Sequence, residues 1–180
     1  MIGVHGRGGH GKVVVDAIKT MCPDEEIVWT DDAEGTSPKG DYIVAIGDPH
    51  ARASRNGQLT VIHPRACVSA SAEIGPGVYV GALASVGPCS IVENGAIVNT
   101  GSVVEHDCRI GAYSHVAPHA TLCGNVRVGR MALVGAGAVV KPGVTIGDGA
   151  IVGCGSVVVK DVPSGETWIG NPAAKMNARR

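Results

Sequence analysis

Phenylalanine is missing from this 180-residue chain, which has two Trp, three Tyr and an aromatic content of 3%. That excludes a wide core filled by rings, and also a row of aromatic platforms on which bases could stack. Charge of one sign is missing too. Fifteen Lys and Arg against 16 Asp and Glu leave a formal net charge of -1, so there is no polybasic stripe and nucleic acid is not an expected partner. No apolar run approaches the roughly 20 residues of a membrane span. Met1 leads directly into a strand-like segment instead of a signal peptide. The expectation is a cytoplasmic protein without membrane insertion. Cys22, Cys67, Cys89, Cys108, Cys123 and Cys154 have no CxxC spacing; they read as reduced thiols, and no metal is expected.

Glycine, by contrast, is abundant at 27 residues, and much of it is periodic. From Ile62 to Val158 an aliphatic residue occupies every sixth position, beginning Ile62, Val68, Ile74, Val80 and ending Val140, Ile146, Val152, Val158. Four residues after each comes a small or short side chain, as at Ala66, Ala72, Ser102, Cys108, Ser114, Ala150 and Ser156. Residues two apart on a strand share a face, so the small residue and the next aliphatic both point inward. The residues between must turn the chain. Gly at the second place of the hexad, as at Gly75, Gly81, Gly87, Gly111, Gly129 and Gly147, and Gly or Asn near the fourth suit such a corner. One hexad is one side of a prism. Three close a coil of 18 residues, and stacked coils bury a column that none buries alone.

Residues 1–61 do not keep the hexad and predict a compact α/β unit. Ile2 to His5 reads as a strand, Gly6 to Gly11 as a glycine-rich turn, and Lys12 to Thr20 as a helix with Val14, Val15 and Ile18 inside. Glu26 to Thr30 and Tyr42 to Ile46 read as two further strands. A strand, Gly6-x-Gly8-x-x-Gly11, a helix and then Asp31-Asp32 form a Rossmann-like βαβ pattern, with a phosphate at the helix N-terminus and an acid near a ribose or base. The unit is too short for two mononucleotide-binding halves, so a single nucleotide is expected. His10 either reaches the phosphate or packs the turn. The boundaries expected are an α/β domain over 1–61, a β-helix over 62–163 and a tail over 164–180.

One corner of the prism breaks its own rule. Where neighbouring hexads carry glycine, this one carries Glu105, His106 and Asp107. An imidazole beside carboxylates has a chemical reason to be there, because the acid orients the ring and favours it once it has taken a proton.

The run Asn99 to Cys108, followed by Ser114-His115-Val116 and Cys123-Gly124-Asn125-Val126, resembles the sugar acetyltransferases of the bacillosamine, perosamine and sialic acid pathways. Gly6-Arg-Gly-Gly-His-Gly11, Thr30-Asp31-Asp32, Ala45-Ile-Gly-Asp48 and Ile62-His-Pro64 match the same family in the same order. The resemblance implies a left-handed β-helix, acetyl-CoA as donor and a nucleotide-linked amino sugar as acceptor. It implies His106 as general base and Asp107 as its partner. For the acceptor it implies Gly8, Gly9, His10, Gly11, Asp31, Asp32 and Asn99. For acetyl-CoA it implies His115, the Gly124 amide, Ala136, Cys154 and Lys160, with the tail from Gly170 to Lys175 near the far end of the molecule. The family usually has a helix between the third strand and the His-Pro step, and only residues 49–60 remain here for it.

The outward residues sort by side. One side shows Tyr79, Ile97, His115, Leu133 and Ile151; a second shows Cys67, Ser85, Val103, Thr121, Val139 and Val157; the third shows Glu73, Ile91, Arg109, Arg127 and Thr145, so that two sides are largely apolar and one is charged. Two apolar sides predict burial against copies of the same chain and a homotrimer, with His106 of one subunit meeting His115 of another. Two other activities remain open at this point: O-acetylation of sialic acid, and a zinc lyase of the carbonic anhydrase type using His106, His115 and His119.

Overall fold

A computed structural model of the protein describes residues 1–36, 40–55 and 57–176. The first unit is a three-stranded parallel sheet, β1 (Ile2–His5), β2 (Ile27–Thr30) and β3 (Tyr42–Val44), in the order β2-β1-β3. Helix α1 (Gly9–Met21) joins β1 to β2 and buries Gly11, Val14, Ala17 and Ile18, a stripe at helical spacing. It starts three residues earlier than the sequence reading, because the second half of the glycine turn is already helical. The third strand stops at Val44, two residues short of the expected end. A helix after β3 is present: α2 (Pro49–Ala53), capped by Asp48, whose Oδ1 accepts the Ala51 N–H at 2.7 Å, with Pro49 opening the first turn. The sequence reading left this segment without a helix, although Asp followed by Pro is a start signal.

The hexad builds what its period requires. Seventeen two-residue strands run from β4 (Val61–Ile62) to β20 (Val157–Val158), each with the periodic aliphatic second. They stack into three parallel faces. The first face holds β4 and every third strand after it, the second holds β5 (Cys67–Val68) and its series, the third holds β6 (Glu73–Ile74) and its series. The sequence set residues 164–180 apart as a tail. Within it β21 (Thr167–Gly170) pairs parallel with β19 (Ile151–Val152), and β22 (Ala173–Lys175) returns antiparallel, extending the first face; residues 177–180 lie outside the described residues. Among the described residues no helix is long and apolar enough to cross a membrane, and all six cysteines are unpaired.

The two glycine places do different work. Fourth-place residues have positive φ, from Gly77 at 69° to Gly155 at 66°. Second-place glycines let coils approach: a Cβ on Gly111 would lie 2.7 Å from Arg130 N, one on Gly129 2.5 Å from Asp148 N, and one on Gly147 2.4 Å from Ser164 N.

A second core joins the two units. Val4, Val14, Ala17, Ile18 and Ile43 of the α/β unit pack with Val61, Tyr79 and Ile97 of the first face. Tyr79 is 2% exposed and Ile97 1%; burial of a side chain such as Ile97 contributes roughly 2 kcal/mol. This corrects one expectation. The lower half of the first apolar side is covered by the chain's own α/β domain, and only its upper part, including Ile151, remains exposed.

Candidate active site

Asp107 is the fourth-place residue of its corner, at φ 60°. That conformation costs most L-residues roughly 1–2 kcal/mol, and Asp tolerates it better than most. The turn sets its carboxylate beside the preceding ring, with His106 Nδ1 2.7 Å from Asp107 Oδ2. Both side chains are well exposed. The carboxylate accepts a hydrogen bond from Nδ1–H, which leaves the lone pair on Nε2. This hydrogen bond raises the His106 pKa above its ordinary 6.5; desolvation opposes it, and the Asp107 and Glu105 charges add to it. The ring lies against the coil above: a Cβ on Gly124 would stand 2.5 Å from His106 Cε1 and Nε2. Among the described residues the Gly124 N–H has no backbone acceptor, whereas its neighbours Cys123 and Asn125 donate to Val140 O and His106 O.

His115 lies on a different face, in β13 (His115–Val116) beside β10 (Ile97–Val98). Asn99 Oδ1 accepts the Thr100 N–H at 2.8 Å, so its Nδ2 is the atom turned to His115 Nε2, 3.0 Å away. The ring accepts there and carries its proton on Nδ1. Burial pushes its pKa down to about 4, helped by the Arg52 charge, and the ring is neutral across the physiological range. Asn99 therefore orients His115, in addition to any contact with a ligand.

His10 resolves toward packing. Its ring meets Tyr79 edge-on at 5.2 Å between centroids and lies 6.4 Å from the His115 ring. Burial, then His115 and Arg52, lower its pKa to about 4. Its Nε2 and the Tyr79 Oη are buried without a partner. The glycine turn thus reaches the prism through His10, while Gly8 and Gly9 stay open, since a Cβ on either would touch nothing within 4 Å. Gly11 has no such freedom: its Cβ would fall 2.0 Å from Gly6 O. Gly8 supplies no side-chain cap, which leaves the first turn of α1 suited to an anion.

Asp31 and Asp32 close the carboxyl edge of the sheet, where ligands of parallel α/β sheets bind. Asp31 accepts the N–H groups of Arg7 at 2.9 Å and Ala33 at 3.0 Å, and these two bonds hold its pKa below the usual carboxylate value. Its carboxylate organises the turn. Asp32 pairs with Arg55 and lies 3.3 Å from the buried His5 Nε2. His5, at the end of its strand, is fixed through Nδ1 to Thr30 Oγ1 at 2.9 Å, a pairing that nothing in the sequence pattern marks.

Ala136 and Cys154 stack one above the other at the corner between the first and second faces, where Gly155 N donates to Ala136 O. Lys160 borders a groove of about 390 Å³ with Val159, Trp168 and Pro172. Lys175, on the same groove, is paired with Glu166. The three histidines of a zinc lyase reading do not converge in one chain: His106 is held by Asp107, His115 by Asn99, and His119 lies over Gly101. Among the described residues no three His, Cys, Asp or Glu side chains are grouped to hold a metal.

Residues 1–42 match the PglD N-terminal domain, and residues 125–160 the bacterial transferase hexapeptide (six repeats). The acetyltransferase domain of PglB from Neisseria gonorrhoeae FA1090, solved with acetyl coenzyme A, is 37% identical over 97% of this chain and 98% of that one, with a TM-score of 0.90. PerB from Caulobacter crescentus, solved with CoA and GDP-perosamine, is 36% identical over 98% and 97%, with a TM-score of 0.88. WeeI from Acinetobacter baumannii AYE is 30% identical over 98% and 99%, with a TM-score of 0.88. The coil shares the left-handed β-helix of these neighbours.

Proposed function

This chain belongs to the hexapeptide-repeat sugar acetyltransferases with a PglD-type amino-terminal domain, and we propose that it transfers the acetyl group of acetyl-CoA to the 4-amino group of a nucleotide-linked amino sugar. A UDP-linked 4-amino-4,6-dideoxy sugar is the favoured acceptor. The observation that carries the reading is the His106–Asp107 pair at 2.7 Å, with the free ring nitrogen held over Gly124. The amine nitrogen attacks the acetyl carbonyl, His106 Nε2 takes its proton, the carbonyl re-forms as the C–S bond breaks, and the proton on His106 passes to the departing sulfur so that CoA leaves as the thiol. The Gly124 N–H and the His115 Nδ1–H are the donors for the oxyanion. The open first turn of α1 takes the nucleotide phosphates, and Asp32 faces the ribose or base. A perosamine N-acetyltransferase among the relatives supports N-acetylation over O-acetylation of sialic acid.

The groups on the prism act between subunits in this reading. His106 and His115 stand on different parts of one prism, and apolar residues such as Val139 and Ile151, 39% and 43% exposed, are left uncovered by the described residues. Light scattering at micromolar concentration is expected to give the mass of three chains; a monomer would rule this assembly out. Acetyl-CoA as donor supports a cytoplasmic setting.

Release of CoA, followed with a thiol reagent, tests the reaction across UDP- and GDP-linked 4-amino sugars and sialic acid. Rapid release with one amino sugar is the expected result, and release with sialic acid alone would replace the acceptor. The pH dependence follows from Asp107. Turnover needs neutral His106, so it falls as pH drops through a ring pKa above 6.5. In Asp107→Asn the ring loses the interaction that raises its pKa, and the acid limb of the kcat profile moves to lower pH. An unmoved limb would separate that limb from His106.

A further inference from the structure

Arg52 is the only buried Arg or Lys among the described residues, at 2% exposure, and no carboxylate pairs with it. Its guanidinium instead donates to five backbone carbonyls. Nη1 reaches Ile46 O at 2.8 Å and Gly47 O at 2.6 Å. Nε reaches Gly95 O at 3.0 Å, and Nη2 reaches Tyr113 O and, at 3.3 Å, Ser114 O. Three places are tied by one side chain: the turn after β3 at the carboxyl edge of the α/β sheet, one coil of the prism at Gly95, and the next coil at the two residues just before His115. A desolvated charge costs several kcal/mol unless carefully solvated by dipoles, and carbonyls from three segments supply that solvation only while the segments keep their relative positions.

We propose that Arg52 is a positioning residue of the transfer reaction: it fixes the peptides that carry His115 relative to the Ile46–Gly47 turn, and so sets the separation of the acceptor and thioester halves of the site. The proposal rests on the acetyl-transfer reading given above. Tyr113 stands at a left-handed corner of the prism, at φ 59°, and its carbonyl is one that Arg52 holds. The fixed cation has a second effect. The charged and titratable groups facing His115 are Arg52 and His10, with Asp48 beside the guanidinium and Tyr79 beside His10. Arg52 adds to the burial that holds both rings neutral.

Two variants separate geometry from charge. Arg52→Lys keeps a cation but loses the planar fork, and three ammonium donors do not span three segments. Its kcat is expected to fall by about 10²-fold, with KM for acetyl-CoA changed far less and the His115 ring still titrating far below 6.5. Arg52→Met loses both, so kcat falls at least as far and the His115 and His10 rings, followed by imidazole NMR, titrate closer to 6.5. Thermal unfolding of each variant sets a temperature at which it is folded. The proposal is overturned if folded Arg52→Lys turns over within about three-fold of the unaltered protein, or if the ring titrations in Arg52→Met do not move. A protein silent with every acceptor would remove the acceptor assignment, and the ring titrations, which need no turnover, would still decide for or against Arg52.

Discussion

Turnover of His106→Ala is expected to fall by about 10²–10⁴-fold, the usual worth of a positioned general base, with folding and assembly intact. The side chain is 58% exposed and stands at a corner, outside both hydrophobic cores. Exposed substitutions of this kind usually move stability by about 0.5 kcal/mol or less. The loss belongs to kcat, since the amine must surrender its proton as the tetrahedral adduct forms and water is a poor substitute inside a closed complex. Stopped assays of CoA release, alongside a thermal melt, give both quantities. Near-normal turnover in the folded variant would remove His106 from the role of base.

The second large effect is at a residue with no reactive group. Gly124→Ala adds one methyl group, and that methyl falls 2.5 Å from Cε1 and Nε2 of His106. Positive φ does not bar the change, since Gly124 is not among the left-handed positions. The obstacle is the end of an exposed side chain and not backbone, so the ring swings away and the fold gives little. Nε2 is displaced by roughly an ångström, and misplacement of that size costs about 10²-fold in rate. Gly111→Ala is the contrasting control. Its Cβ would meet backbone of the next coil at 2.7 Å, and the expected cost is about 1–3 kcal/mol of stability. A Gly124→Ala protein with normal turnover would show that the ring's seat on that glycine is irrelevant to the reaction.

The prism was legible because its rule is local and repeated: an aliphatic and a short side chain two apart, every six residues, determine both the inward column and the 18-residue coil. His106 was legible because it stands where its neighbours have glycine. Arg52 was not, because all five of its acceptors are backbone carbonyls, two of them 61 and 62 residues away, and carbonyls leave no mark on a sequence. The direction of His10 was open for a related reason. A histidine in a glycine turn suits an anion as well as a packed ring, and what decides is Tyr79, which the prism presents to it. Apolar character on the outer side of the prism showed that something covers Tyr79 and Ile97, without showing that the chain itself does so.

The second-place glycines give the chain an arithmetic of its own. All but Gly153 face the backbone of the coil above, so the consequence of a substitution falls about one coil further along the sequence and little of it on adjacent residues. A tolerance map wrapped at 18 residues would resolve into vertical bands. Insertions obey the same count. Adding or removing one hexad turns everything beyond it by a third of a revolution; placed between Asn99 and His115, it would carry His115 to another face and part the two. Lengthening by whole coils leaves every face in place, so the molecule can change its height in steps of 18 residues, whereas steps of six scramble it.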